Sequence, residues 1–272
     1  MSINERKIAF IGGGHISEII LTNIRRSQEQ LLSQIMVSDP VSARLKTLSA
    51  KFPIKTAPDN KAAVRWADVV FINVLPQVVD GVIAELGDPR LWNKKMLVSL
   101  AAGVPISKYT RISEFLPIVR TLPNPPSQIG MGVVALAFNA LVKESRKEEI
   151  KKFFSAMGDL VELDERLMNA VTALGTPAPV YMFIESLIDA GVRTGIRRDA
   201  ATHIVFQTLA GAMEVWKQSD KTPTELMNHA TTPGGISAEC LYWLEKNGFR
   251  AAIHEAVAEG TRRADDLGAD SD

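Results

Sequence analysis

The apolar run Lys7–Ile11 ends in Gly12-Gly13-Gly14, and Ile16, Ile19, Ile20 and Ile24 then recur at helical spacing. A strand that hands over to a helix through glycines constrains the fold more than any other feature of this chain. Such a turn needs backbone angles that side chains resist, and the free N–H groups at the helix start attract negative charge. Gly12 permits the tight turn, Gly14 lets the backbone approach a pyrophosphate, and His15 and Ile16 begin the helix that receives it. Ser17 stands at the third position of this pattern, where Gly or Ala is usual.

The alternation continues. Strands are expected at Gln34–Ser38, Asp68–Val74, Lys95–Ala101, Ile118–Leu122, Val133–Phe138 and Leu160–Leu163, and helices at Val41–Lys51, Gln77–Leu86 and Val142–Met157. Apolar strands between amphipathic helices predict an α/β fold with a mostly parallel sheet covered on both faces, of Rossmann type. Beyond Asp164 the strand pattern stops. Val180–Arg193, Asp199–Trp216, Pro223–His229, Ser237–Lys246 and Phe249–Leu267 read as helices, separated by Gly195, Pro233-Gly234-Gly235 and Gly248. Residues 1–164 are thus expected to form a dinucleotide-binding domain and 165–272 an all-helical domain. The small, polar tail Gly268–Asp272 reads as a frayed end.

Composition narrows the partners. Lysine and arginine number 31, aspartate and glutamate 31, and no basic block occurs, so neither nucleic acid nor an acidic membrane is expected. Apolar runs such as Val69–Val74 are strand-sized, which predicts no membrane span, and the polar start Met1–Lys7 predicts no signal peptide. Cys240 is the only cysteine, so no internal disulfide can form and a cytoplasmic location is expected; it reads as a small packed residue. His203, His229 and His254 lack ligand spacing, so no metal is expected. No Gly-x-Ser-x-Gly elbow occurs, which sets hydrolysis aside.

Asp39 ends the second strand, where an acidic side chain accepts hydrogen bonds from the adenosine ribose hydroxyls and repels the 2′-phosphate of NADP. The reading is therefore NAD(P)H, leaning to NADH. Two alternatives stand beside it: Asp39 caps the next helix, or Ser38, Arg44 and Lys46 build a phosphate site.

From Lys7 to Leu267 the chain resembles the Δ1-pyrroline-5-carboxylate reductase family. Phe10-Ile11-Gly12-Gly13-Gly14 is similar to the family's opening strand and turn. Val98-Ser99-Leu100-Ala101-Ala102-Gly103-Val104 and Arg120-Thr121-Leu122-Pro123-Asn124-Pro125-Pro126 resemble two sheet motifs. Thr231-Thr232-Pro233-Gly234-Gly235, continued by Gly248-Phe249-Arg250-Ala251-Ala252, resembles the substrate loop and last helix. The resemblance implies reduction of a cyclic imino acid, foremost 1-pyrroline-5-carboxylate to L-proline. It also implies a cofactor lined by Val74, Leu75, Pro76, Ala101 and Asn124, and a homodimer or ring of dimers. The chain departs from the pattern in three places. Gly175-Thr176-Pro177-Ala178-Pro179-Val180-Tyr181 stands where the family has Ser-Gly-Ser-Gly-Pro-Ala-Tyr, Leu75 replaces a lysine, and Ile236-Ser237 replaces Thr-Thr. Those departures leave open a different cyclic imine, and a regulator that binds nucleotide without turnover.

Imine reduction needs few side chains, since the cofactor carries the difficult step. The substrate carboxylate must be held and the ring nitrogen must receive a proton. Thr232, Gly234, Gly235 and Ile236 offer a turn with free N–H groups at a helix start, and Ser237 matches the family's hydroxyl that bonds the ring nitrogen. The alternative is that Thr232 or Ser237 caps that helix. Thr176 can replace one missing hydroxyl, and Asp220 falls where the family has an acid near the substrate amine, or is a solvated charge between helices. The run Tyr181, Met182, Phe183, Ile184, Leu187 and Ile188 leaves little polar face, which predicts burial against a second chain rather than a monomer.

Overall fold

The computed structural model describes residues 3–269. Its eight strands form one sheet in the order β3-β2-β1-β4-β5-β6-β7-β8. They are β1 (Ile8–Ile11), β2 (Ile35–Ser38), β3 (Lys55–Ala57), β4 (Val69–Ile72), β5 (Met96–Ser99), β6 (Ile118–Pro123), β7 (Gly132–Phe138) and β8 (Gly158–Glu162). Neighbours are parallel except β6 with β7. That pair is joined by a short turn through Pro125–Ile129 instead of a crossover helix, and a short connection permits only antiparallel pairing.

Every residue of β1, β4 and β5 is buried, and alternate side chains serve opposite faces. Ile8 and Phe10 join one cluster with α1 (His15–Ser27), α2 (Ser42–Lys51) and α6 (Glu144–Phe154); Ala9 and Ile11 join the other, with α3 (Asn60–Trp66), α4 (Val79–Leu86) and α5 (Ile106–Tyr109). Coverage on both faces is why these strands read as unbroken apolar runs. In the first cluster the rings of Phe10, Phe71, Phe153 and Phe154 pack with centroids 5.0–6.0 Å apart. The sequence pattern does not anticipate β3, a polar Lys-Thr-Ala strand at the sheet edge, nor the short helices α3, α5 and α7 (Met168–Leu174).

Secondary structure changes type after β8, but packing divides the chain at Gly175 and returns residues from Val257 onward to the sheet unit. Arg120, almost wholly buried, explains this. It pairs with Glu165 at 3.4 Å and donates to Asn169 at 2.5 Å, while Asn169 donates to Asp265 of α12 (Phe249–Ala269) at 2.6 Å. Gly103 completes the joint: with φ of 78°, a Cβ there would lie 2.6 Å from the carbonyl oxygen of Ala264, and one on Gly268 2.2 Å from that of Gly103. Two of the sheet motifs thus hold α12 in place. The tail expected to fray from Gly268 is helical through Ala269; the rest of it lies outside the described residues.

The second unit, 176–256, contains α8 (Ala178–Arg193), α9 (Arg198–Lys217), α10 (Pro223–His229), α11 (Ile236–Lys246) and the start of α12. Arg198 bridges Glu185 and Asp189 at 2.9 and 2.5 Å, and Phe183 packs on Phe249 at 5.9 Å. Only Ile188 and Ala201 are buried within it; Tyr181, Met182 and Phe206 are 64%, 74% and 68% exposed. Cys240, expected to be packed, is exposed as well. The strand-sized limit placed on apolar runs also needs correction: Glu165–Arg193 is long and apolar enough by composition to cross a membrane. It folds as two helices parted at Gly175–Pro177, and the longer carries Glu185 and Asp189.

Candidate active site

In an open α/β sheet ligands bind beyond the carboxyl ends of the strands, where strand order reverses. Here that point lies between β1 and β4. A cavity of about 580 Å³ opens there, lined by Gly12, Gly14, Ser38, Asp39, Val74 and Leu75 from the expected set. Gly12 adopts φ of 99°, and a Cβ on it would lie 2.7 Å from the carbonyl oxygen of Asn73. No L side chain fits this crossing of two strand ends. A Cβ on Gly14 would meet nothing within 4 Å, so this glycine faces open space, as close approach by a ligand requires. Gly14 caps α1 without any side-chain hydrogen bond, leaving the helix-start N–H groups for an anion.

Ser17 is the reason the third glycine position can differ. Its side chain is buried, its hydroxyl donates to the Gly12 carbonyl at 2.6 Å, and it accepts from Asn73 Nδ2 at 2.9 Å. The hydroxyl fastens the turn to the end of β4. Asn73 Oδ1 is buried without a partner, an orphaned acceptor on the cavity wall. With the glycine cradle and the uncapped helix start, this suits a dinucleotide.

The Asp39 carboxylate accepts from Gly13 N at 2.8 Å and from Val41 N at 2.8 Å. It therefore fixes both the glycine turn and the chain after β2; the helix cap proper is Val41, which makes no side-chain bond. Arg44 is engaged by Glu18 at 2.6 Å and by the Gly13 carbonyl at 2.5 Å. Lys51 and Arg44 together hold the Glu18 carboxyl below its ordinary pKa. Ser38 donates to Asn60 Oδ1 at 2.8 Å, and Asn60 donates to Glu85 at 2.7 Å. The cavity wall carries three carboxylates, Asp39, Asp59 and Glu85, and no lysine or arginine.

Sequence reasoning misses Asp59, Asn60, Asn73, Val78 and Glu85 on this wall. A signal exists for one: Asp59 precedes an apolar-periodic run and caps α3 by accepting from Ala62 N at 2.7 Å. Conversely, five expected cofactor residues do not line the cavity. Ile16 packs into the sheet core, and His15 is an exposed first residue of α1. Pro76 begins a short turn, and Ala101 is buried under the sheet. Asn124 accepts from Val133 N at 2.9 Å and donates to the Gly175 carbonyl at 3.2 Å, clasping the β6–β7 turn to the end of α7. In the neighbouring motif, Ser99 hydrogen-bonds buried Tyr109 at 2.6 Å. Burial pushes the Tyr109 phenol up to about 12, so it stays neutral.

The substrate-loop residues belong to the helical unit. Gly234 takes φ of 70°, and Gly235 N donates to the Thr232 carbonyl at 3.0 Å, closing the turn. Gly235 itself is the N-cap of α11, with no side-chain hydrogen bond to the helix start. Neither Thr232 nor Ser237 caps this helix, which overturns that alternative. Ile236 and Ser237, the first two helical residues, are both exposed. Thr176 lies exposed just ahead of α8, and Asp220 exposed between α9 and α10.

Residues 165–267 match the family model described as pyrroline-5-carboxylate reductase dimerisation, and residues 7–103 match that of NADP oxidoreductase, coenzyme F420-dependent. A pyrroline-5-carboxylate reductase of a Synechocystis strain is 34% identical over 96% of this chain and 98% of its own length. One from Pseudomonas aeruginosa is 32% identical over 96% of each. The crystal structure of Plasmodium falciparum pyrroline carboxylate reductase with NADP bound superposes with a TM-score of 0.85 at 28% identity, covering 97% of this chain and 99% of that one.

Proposed function

The chain belongs to the pyrroline-5-carboxylate reductase family, and from that premise we propose how its residues do the work. The reaction is the NAD(P)H-dependent reduction of 1-pyrroline-5-carboxylate to L-proline. The reduced nicotinamide, when bound, supplies the hydride. The chain's own residues must hold the dinucleotide, orient the substrate and manage one proton.

Gly12, Gly14 and the open start of α1 hold the pyrophosphate, and Asp39 receives the adenosine ribose. We assign a preference for NADH, because three carboxylates line the cavity and Arg44 is tied to Glu18. A 2′-phosphate there would face like charges with no lysine or arginine in the cavity lining. In the helical unit, the turn Thr232–Gly235 and the start of α11 receive the substrate carboxylate. Ser237 donates a hydrogen bond to the ring nitrogen, which takes up a proton from water as hydride reaches the ring carbon. The observation that carries this assignment is the backbone-only cap of α11: it leaves the Ser237 hydroxyl and the helix-start N–H groups to a ligand. Thr176 and Asp220 take supporting places, at the substrate and near its amine. Residues 165–267 form the homodimer. Rings of such dimers, and a cytoplasmic location suggested by the single Cys240, are the remaining expectations.

Ser237→Ala tests the assignment. Loss of one hydrogen bond at a developing charge should lower single-turnover reduction by roughly ten- to a hundredfold. Melting temperature and cofactor affinity should hold, since no cap is lost. A variant that reduces pyrroline-5-carboxylate at the wild-type rate would end the role given to Ser237. Assaying both proteins on a panel of cyclic imines also reports whether Leu75 and the altered 175–180 segment shift the best substrate.

A further inference from the structure

A second cavity, of about 360 Å³, lies at the opposite end of the sheet's parallel strands. Arg6 precedes β1, Lys95 and Met96 open β5, Pro117 precedes β6, and Lys143 follows the antiparallel β7. These positions mark the amino ends of the parallel strands, whereas Gly12, Asp39 and Val74 mark carboxyl ends. No residue assigned to the reductase reaction lies at this end of the strands.

Its lining is unusual in charge. Arg6, Lys94, Lys95, Lys143 and Arg146 contribute five cations and no carboxylate lines it. Glu149, behind the wall, is shared by Arg6 and Arg146, each at 2.8 Å, and Asp68 acts electrostatically on both arginines, so these acids answer the inner cations and leave Lys94 and Lys143 at the rim. Burial, and then the nearby Arg6, lower the pKa of Arg146. Lys95 donates to the backbone carbonyl of Ala67; burial lowers its pKa, and the nearby Asp68 works against that shift. Trp92 forms an apolar side of the cavity; its indole N–H is already satisfied by the Leu86 carbonyl at 2.8 Å. Phe115, also in the lining, is 85% exposed, an aromatic face left open to water beside the cations.

A second observation is conformational. Lys94 has φ of 60°, the one described residue besides glycine with a positive φ. It sits third in a turn closed by Lys95 N donating to the Trp92 carbonyl at 3.0 Å, with Asn93 at φ −56° and ψ 124°. This is a type II turn, whose third position favours glycine. A strained lysine in the rim of a cationic cavity is a local choice against the fold's own preference, the pattern expected where a side chain serves a ligand.

We propose that this cavity binds a small organic phosphate bearing a planar ring, with Lys94 and Lys143 facing the phosphate and Phe115 stacking on the ring. Lysine serves as a point charge toward phosphate, and an exposed aromatic face accepts any planar base. The site is separate from the dinucleotide cavity and is filled while that cavity is occupied.

The test is calorimetric titration of adenosine monophosphate into full-length enzyme whose dinucleotide site is already saturated with reduced cofactor. One molecule per chain should bind, more weakly as salt rises. Lys94→Gly removes a cation and also relieves the turn, so it should weaken binding about tenfold, one lost charge contact, with melting temperature unchanged or raised. Phe115→Ala should weaken the nucleotide but leave inorganic phosphate unaffected. No heat from the saturated wild type would overturn the proposal, as would a Lys94→Gly protein that binds as tightly as the parent. Equal weakening of nucleotide and inorganic phosphate by Phe115→Ala would remove the ring from the ligand.

Discussion

The two units of this chain bury their apolar residues by opposite routes. In the sheet unit Phe10, Phe71 and Phe154 are fully enclosed by elements of the same chain. In the helical unit Tyr181, Met182, Phe206 and Trp243 remain largely in contact with solvent, and two buried residues are too few to hold a core. Apolar area left exposed on this scale is an interface. The first unit's stability is thus expected to be a property of one chain, and the second's, in line with the dimerisation family match, a property of an assembly.

Perturbing each unit separately should expose that contrast. Phe154→Ala empties part of the aromatic cluster and should cost about 3–5 kcal/mol at every protein concentration. A midpoint of denaturation that moved with dilution would contradict it. Met182→Asp combined with Phe206→Asp should convert the dimer to single chains by light scattering and abolish turnover, because charge is being forced into an apolar interface. Cofactor binding, which belongs to the sheet unit, should survive. A dimer of normal activity would show that these faces meet nothing.

Gly12→Ala probes the sheet unit at its tightest point. Positive φ and a carbonyl 2.7 Å away should cost roughly 2 kcal/mol and weaken cofactor binding, while the oligomer persists. The smallest effect is expected from Asp39→Ser. It should shift the ratio of kcat/KM for NADPH over NADH upward by about tenfold, or about 1.4 kcal/mol. Because Asp39 also accepts from Gly13 and Val41, a modest drop in melting temperature should accompany the change. A wild type that already prefers NADPH tenfold would remove Asp39 as the selector.

The same contrast governs how much of the molecule is legible in its amino-acid sequence. β1, the glycine turn and α1 are legible because the constraint is local: a tight turn, a helix start and a period that switches from strand to helix within a few residues. Strands β4 and β5 are legible because burial on both faces leaves only apolar residues. β3 is not, since Lys55 and Thr56 sit at an edge where polar side chains are tolerated. On the cavity wall, Gly12, Gly14 and Asp39 follow from sequence, whereas Asn73, Asn60 and Glu85 arrive from separate elements that only the sheet order brings together. The sequence leaves Ser237 ambiguous between cap and ligand contact because capping depends on backbone angles. Gly235, not a hydroxyl, holds that place in the fold. For α8 the apolar pattern is plain, but the chain's own helical unit does not cover it.

The backbone-only cap of α11 has a consequence for how such a protein changes over time. No side chain between Thr232 and Ser237 supports the start of that helix, so substitutions there draw little on the stability reserve that limits most mutations. Ile236, 86% exposed, illustrates a position that variation can explore without unfolding the chain. Under the proposed substrate role, selection on which ring enters can therefore act on this loop almost independently of selection on folding. Gly234 is the exception: its φ of 70° is one that L side chains rarely adopt, so it must stay for the turn to close. If the loop receives the substrate as proposed, Ile236 is the position where specificity can drift, while Gly234 and Ser237 are held by the turn and by the reaction.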